Sequence, residues 1–223
     1  MLTVYSYNMT TNVHTVKIQR APDRYHHGAL RQALLAAAEA IIAERGVDGF
    51  SLREAARRAG VSPAAPQHHF GDARGLLTAV ATTGFEQLAD TLAAATAHAG
   101  PHRDARIRAQ GLAYVAFALA QPARFDVMWR GARVDCDDPA YAAASRRAFA
   151  VLAAVVAGGS PEDAPETAPM TAPNDADPRV LACWAVVHGF ARLALDGVFG
   201  AGAAAADAAA DALLPAVLDC VRV

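Results

Sequence analysis

Aromatic residues make up only 7% of this 223-residue chain, and strand-forming residues are sparse. Much of its 54% hydrophobic content is alanine, the strongest helix former. The combination predicts an all-α architecture. Cysteine is equally scarce: Cys136, Cys183 and Cys220 are odd in number and far apart, with no C-x-x-C pair. That pattern excludes a disulfide framework and a paired-cysteine zinc module. It suits a reducing compartment, so a cytoplasmic location is expected. No uncharged apolar run reaches the ~18–20 residues of a membrane span. The nearest candidates, bounded by Arg108 and Arg124 and by Ala148 and Pro161, read as core helices. Residues 1–16 lack a basic start, so a signal peptide is not expected. HExxH, G-x-S-x-G, a glycine-rich phosphate loop after a strand and paired zinc ligands are all missing. Neither enzyme chemistry nor a cofactor is therefore expected. His26-His27 and His68-His69 are adjacent pairs that point to different sides of a helix. His98 and His102 are separated by Gly100-Pro101, which breaks the helix that would align them. No metal site is expected.

The formal charge of −2 conceals an asymmetry. Residues 1–80 hold nine Lys/Arg against six Asp/Glu, a balance of +3, and residues 81–223 hold eleven against sixteen, a balance of −5. Such a division fits a nucleic-acid module joined to something else, although three charges in eighty residues is also ordinary scatter. Residues 1–24 read as a flexible basic arm. Residues 25–80 read as one domain and 81–223 as a second, interrupted at 158–178 by a mobile acidic, proline-rich loop. Apolar periodicity places helices at about 27–45, 51–58, 62–68, 72–99, 103–120, 122–129, 139–156, 178–198 and 203–221. No internal repeat is present.

The stretch from Ser51 to Phe70 carries the most information. Ser51 and Glu54 have the spacing of a capping box. Ser62 reads as a second N-cap, with Pro63 at the first helical position. Gly60 can supply the positive φ of a tight turn between them. Pro66, at the fourth position of a helix capped by Ser62, would remove the bond to the Ser62 carbonyl and distort the first turn. Two short helices around one turn, with arginines on the first, describe a helix-turn-helix, a DNA-reading device.

The motifs now add up to a resemblance. Tyr25-His26-His27-Gly28-Ala29-Leu30-Arg31, Ala59-Gly60-Val61-Ser62, His69-Phe70 and Leu76-Leu77 resemble the N-terminal signature of the TetR family of transcriptional repressors. Gln121 to Trp129 and Trp184-Ala185-Val186-Val187-His188-Gly189 resemble the C-terminal domain of the subgroup with a Trp-His-Gly signature. The resemblance implies an N-terminal three-helix DNA-binding domain and a C-terminal helical domain for effector binding and dimerisation. Two positions depart from the family pattern. Gln67 stands where a phosphate-touching tyrosine is usual, and Ala73 where a phosphate-touching lysine is usual; Arg74 is one residue away. Weakened or lost DNA binding, in a protein that keeps the fold to bind small molecules, is the alternative that these departures raise.

A DNA-reading role gives particular residues particular tasks. Ala64 and Ala65 allow close approach to base edges, and Gln67 can bond adenine at N6 and N7. His68 can meet a base or a phosphate. Arg53 can reach a base or a phosphate, and Arg57 and Arg74 are backbone-contact candidates, as are Ser62 at the leading end of the reading helix and His27 at the start of the first helix. Arg58 sits beside them, and both Arg57 and Arg58 could equally form a solvated face. The expected partners are an inverted-repeat duplex, a second copy of the chain and an unidentified small-molecule effector. Effector-pocket candidates are Tyr114, Phe117, Phe125, Met128, Trp129, Tyr141, Trp184 and His188, which could instead be core. Small residues on the last two helices, Ala182, Ala185 and Gly189 and then Ala204 to Ala210, suit close helix approach in a dimer.

Overall fold

The computed structural model describes residues 24–159 and 177–220, with side chains from residue 28. The basic arm and most of the acidic loop expected from the sequence lie outside the described residues. The described part contains nine α-helices, one 3-10 turn and no strand.

In α1 (Arg24–Arg45) the spacing of Leu30, Leu34, Ala38, Ile41 and Ile42 predicts one apolar stripe; all but Leu30, which is partly buried against the same core, are buried, and Leu35 joins them. Gly46, at φ 71°, ends the helix, and its N–H bonds the Ile42 carbonyl at 2.8 Å. Val47–Gly49 make a 3-10 turn that leads into α2 (Leu52–Arg58), which buries Ala55 and Ala56. Gly60 adopts φ 68°, so the Val61 N–H can reach back to the Ala56 carbonyl at 3.0 Å. The reading-helix candidate α3 (Ala65–Phe70) follows. Then comes α4 (Ala73–His98), whose first turn is capped by Asp72 accepting from the Gly75 N–H at 2.9 Å.

Two local expectations are corrected. Ser51 occupies the N-cap of α2 but makes no side-chain cap, and the Glu54 carboxylate of the expected box is held by Arg57 and Arg58. Ser62 makes no side-chain cap either; Ala64 occupies the N-cap of α3. Pro66 explains the later start. It has no N–H for the Ser62 carbonyl, which accepts from Ala65 at 3.0 Å in a tight turn instead. The α-helix proper then begins at Ala65, leaving Pro66 in the first turn, where no donor is required.

The remaining helices are α5 (Arg103–Ala120), α6 (Pro122–Met128), α7 (Pro139–Val156), α8 (Pro178–Leu195) and α9 (Ala203–Asp219). Proline starts α6, α7 and α8, and Asp138 and Asp177 cap α7 and α8 with their carboxylates. At the centre lies α4, packed on α1, α3, α5, α6 and α7, with Glu86, Gln87, Asp90 and Ala94 on its exposed side. Its buried hydroxyls cause no deficit: Thr78, Thr82 and Thr96 each donate to the carbonyl four residues earlier at 2.8 Å. One continuous core therefore runs from Leu34 through Leu76 and Phe85 to Leu214.

Candidate nucleic-acid interface and cavity

The exposed side of α3 and the turn before it present Ser62, Pro63, Ala64, Gln67 and His68, while Pro66 is buried and Ala65, His69 and Phe70 are partly covered. Phe70 packs on the core, with the Arg31 guanidinium 5.8 Å from its ring. The structure thus brings Ala64, Gln67 and His68 onto one face at three- and four-residue steps. Arg53 is exposed at the start of α2 and has no carboxylate partner among the described residues. The other arginines are engaged. Arg57 is 71% exposed but bonds Glu54 at 2.7 Å. Arg58 is held between Glu54 and Glu44, at 2.9 and 2.6 Å, and so ties α2 to α1. These hydrogen bonds pull the Glu54 carboxyl down to about 2, Arg57 contributing most. The Arg74 Nε donates to the Val134 carbonyl at 3.0 Å, with Asp135 3.7 Å away, so this side chain is turned toward the C-terminal body. The His27 side chain lies outside the described residues; its backbone belongs to α1.

A cavity of about 340 Å³ opens within the C-terminal helices. Phe85, Leu88 and Leu92 of α4 form one wall, and Tyr141, Phe149 and Leu152 of α7 form another. Of the eight pocket candidates, Tyr114, Trp129, Tyr141 and Trp184 line this space. Phe117, Phe125 and Met128 do not; they are at most 5% exposed and pack the core. Gly84 makes room for Met128, since a Cβ there would stand 2.6 Å from its sulfur. His188 lies behind the wall and completes a relay: the Trp184 N–H reaches the Tyr114 oxygen at 3.4 Å, and the Tyr114 hydroxyl is hydrogen-bonded with His188 Nδ1 at 2.9 Å. Burial pushes the Tyr114 hydroxyl up and His188 down, so both groups stay neutral. Burial, with a contribution from Cys136, likewise pushes the Tyr141 hydroxyl up to about 12.

Sequence reasoning missed several lining residues, among them Gln110, Arg146, Phe149 and Cys183. The signal for Gln110 was present: it shares the inward stripe of α5 with Ile107, Gly111 and Tyr114. A lone amide on an apolar stripe needs an explanation.

A segment without regular structure, residues 129–138, connects the cavity to the N-terminal helices. Trp129 and Cys136 line the cavity. Between them, Arg133 donates to the Val47 carbonyl at 3.3 Å, and the buried Val134 offers its carbonyl to Arg74. The Asp135 N–H bonds Thr78 Oγ1 at 2.8 Å. On α6, Arg124 grips Glu39 of α1 at 2.5 Å and also holds Gln87 and Gln121. Among the described residues, no three His, Cys, Asp or Glu side chains gather to hold a metal, and no helix is long and apolar enough to cross a membrane.

Residues 34–80 match the family of bacterial regulatory proteins known as the tetR family, and residues 107–217 match the tetracyclin repressor-like C-terminal domain. A protein of unknown function from Rhodococcus sp. RHA1 is similar over 87% of this chain and 98% of its own, at 36% identity and a TM-score of 0.63. Two further solved structures share the fold at 20% identity. A bacterial regulatory protein in the tetR family from Rhodococcus RHA1 covers 86% of this chain and 96% of its own, with a TM-score of 0.62. The TetR family transcriptional regulator PfmR from Thermus thermophilus covers 85% and 99%, with a TM-score of 0.57. No curated protein matches the chain significantly.

Proposed function

The chain belongs to the TetR family of transcriptional regulators, and from that premise we propose that it is a cytoplasmic homodimeric repressor, released from an inverted-repeat operator by a small-molecule effector. The observation that carries this reading is the segment 129–138, which touches the cavity at Trp129 and Cys136 and the N-terminal helices at Val47 and Thr78. The exposed face of α3 supplies the reading groups. Gln67 takes an adenine edge, Ala64 and Ala65 permit close approach, and His68, Arg53 and Ser62 meet the backbone or flanking bases. Arg57 reaches a phosphate by exchanging Glu54 for it, and His27 sits at the start of α1.

Dimerisation uses the outer face of α8 and its neighbour α9. Ala182, Ala185 and Leu193 are exposed on one stripe of α8 with Gly189 between them, and Val198 and Leu213 are 62% and 46% exposed nearby. Small residues let two such helices approach closely across a two-fold axis. The Trp-His-Gly subgroup assignment, resting on Trp184, His188 and Gly189, belongs to this proposal as well.

An effector acts by population shift. Binding that favours one position of the 129–138 segment changes the separation of the two reading helices. Moving the equilibrium decisively requires a few kcal/mol of differential affinity. The test is selection of bound duplexes from a random pool, followed by titration on the selected site. A short inverted repeat is expected, and Gln67→Ala should relax its preference at one base pair per half-site. Failure to enrich any palindrome rejects the reading. The engagement of Arg74 by Val134 favours one alternative: a small-molecule binding protein with weakened DNA binding. That protein would show a shallow salt dependence on every duplex, where a specific repressor shows a steep one.

A further inference from the structure

Two buried polar groups in the wall of the cavity have no partner among the described residues. Gln110 is 1% exposed, and its Oε1 accepts no hydrogen bond. Trp129 Nε1 is buried and donates to nothing. The orientation of the Gln110 amide is fixed by its surroundings. Its nitrogen meets the Val151 carbonyl at 3.2 Å and Thr96 Oγ1 at 2.8 Å. The first can only accept, and the second has already given its proton to the Leu92 carbonyl. Flipping the amide would set oxygen against two acceptors, so the unpartnered atom is an acceptor that requires a donor. Trp129, a donor only, requires an acceptor.

The two requirements lie toward different ends of the cavity. Gln110 is anchored beside Thr96, whereas the Trp129 ring stacks edge-on against Phe85, 5.1 Å between centroids. Those two α4 residues are eleven positions apart, about 16 Å along the helix axis. The walls between are aromatic, with Tyr114, Tyr141, Phe149 and Trp184 among them. No carboxylate lines the space; its one charged lining residue, Arg146, has no acidic partner among the described residues. A cation is therefore disfavoured. A cavity of ~150 Å³ accommodates benzene, so 340 Å³ suits a body of about two rings.

We infer that this cavity takes an elongated, uncharged or anionic aromatic molecule of about two rings, with a phenolic hydroxyl donating to Gln110 and a carbonyl or ether oxygen accepting from Trp129. The inference deepens the effector reading given above and rests on it only for the consequence of binding, not for binding itself. Both tryptophans of the chain, Trp129 and Trp184, line the cavity, so their fluorescence reports its occupancy directly.

The test titrates the full chain with 4-hydroxychalcone, its methyl ether 4-methoxychalcone, and 4-hydroxystilbene, which lacks the carbonyl. The hydroxychalcone is expected to bind about tenfold tighter than either, the worth of one hydrogen bond to a buried group that is otherwise unsatisfied. Gln110→Met should remove the preference over the ether, and Trp129→Phe the preference over the stilbene. Equal affinity for phenol and ether in the unaltered chain overturns the inference, and this comparison needs no variant to fold. Absence of binding by all three compounds overturns it too, as does a phenol preference that survives Gln110→Met. Operator binding is measured on the same samples. Phenol discrimination without any change in duplex affinity leaves the ligand class standing and rejects effector release. Specific duplex binding without phenol discrimination rejects the ligand class alone.

Discussion

Replacing Gly75 with alanine tests the join between α3, the proposed reading helix, and the body. Gly75 is the third residue of α4, and its N–H is the donor that Asp72 caps. A Cβ at this position would overlap the backbone carbonyl oxygen of Phe70 and stand 3.1 Å from its carbon, inside the ~3.5–4.0 Å of a comfortable carbon–carbon contact. Phe70 is the last residue of α3, and the same oxygen accepts from the Asp72 N–H at 2.9 Å. No side chain can swing aside; the end of α3 must move. Alanine gains about 1 kcal/mol in helix propensity, but overpacking against a fixed group costs about 1–3 kcal/mol. Backbone against backbone belongs at the upper end of that range. The net loss is about 1–2 kcal/mol, which lowers the melting temperature by about 2–8 °C. Duplex affinity should fall further than stability accounts for, because α3 carries Gln67 and His68. Gly28→Ala is the control: its Cβ would meet nothing within 4 Å, so a small rise in melting temperature is expected. A Gly75→Ala protein that melts and binds duplex like the parent would refute the packing argument.

Gly189→Ala separates the chain from its assembly: its Cβ meets nothing within 4 Å, so the isolated fold should gain about 1 kcal/mol. If a second copy packs on that stripe, two methyl groups enter the interface together, and sedimentation equilibrium should show dimer dissociation at least tenfold easier; an unchanged constant removes α8 from the interface. Arg124→Ala deletes the grip on Glu39, whose side chain is 27% exposed and Arg124's own 13%, and should cost about 2 kcal/mol in thermal or denaturant unfolding, discounted from a fully buried pair. Arg124→Lys should recover little, since one ammonium cannot span Glu39, Gln87 and Gln121. His188 makes a pH prediction: burial, then Arg192, holds it below its ordinary value of 6.5, so the unfolded chain takes up the proton first on acidification. Its contribution is intact above about pH 6.5 and is lost as the pH falls through the lower folded value. The melting temperature should therefore drop across that window, and a His188→Gln variant that keeps the same slope would show that another group is responsible.

Helix positions were legible because each boundary carried local chemistry. Asp138-Pro139 and Asp177-Pro178 announce starts, Gly46 and Gly60 announce stops, and the 3.6-residue apolar period marks the inner faces. Local chemistry also explains the two failures. At Ser51 the Glu54 carboxylate that the capping box calls for is held by Arg57 and Arg58, and at Ser62 Pro66 moves the helix start further along the turn. Periodicity identifies an inward face but not what it faces. Phe125 and Trp129 are one turn apart, yet Phe125 packs the core and Trp129 lines the cavity, where a missing neighbour rather than any residue type makes the space. The contacts of residues 129–138 were not legible at all. Arg133 on Val47 and Arg74 on Val134 join backbone carbonyls to positions 86 and 60 residues away, and a carbonyl leaves no trace in composition.

In the proposed reading, the same long-range contacts would carry occupation of the cavity to α3. One side of α4 gives Phe85, Leu88 and Leu92 to the cavity, and its first turns give Leu76, Leu77 and Val80 to the core shared with α1. The inner face of α4 is close-packed and does not absorb a displacement by side-chain rearrangement alone. On the same proposed reading, movement of the α4 cavity face is passed along the helix axis as a shift or tilt. The N-terminal helices cannot stay behind, because Arg124 on Glu39 and Arg133 on Val47 fasten α1 and the turn after it to α6 and to residues 129–138. In the proposed reading, a ligand that moves Trp129 acts on α1 and α4 together, and Gly75 sits where that motion would meet the end of α3. The arrangement has a direct consequence for hydrogen exchange. Filling the cavity should change protection at residues 129–138 and at the α3–α4 turn in the same titration, with the same midpoint. Protection confined to the cavity walls would mean that the two ends of α4 move independently, and the coupling would have to be sought elsewhere.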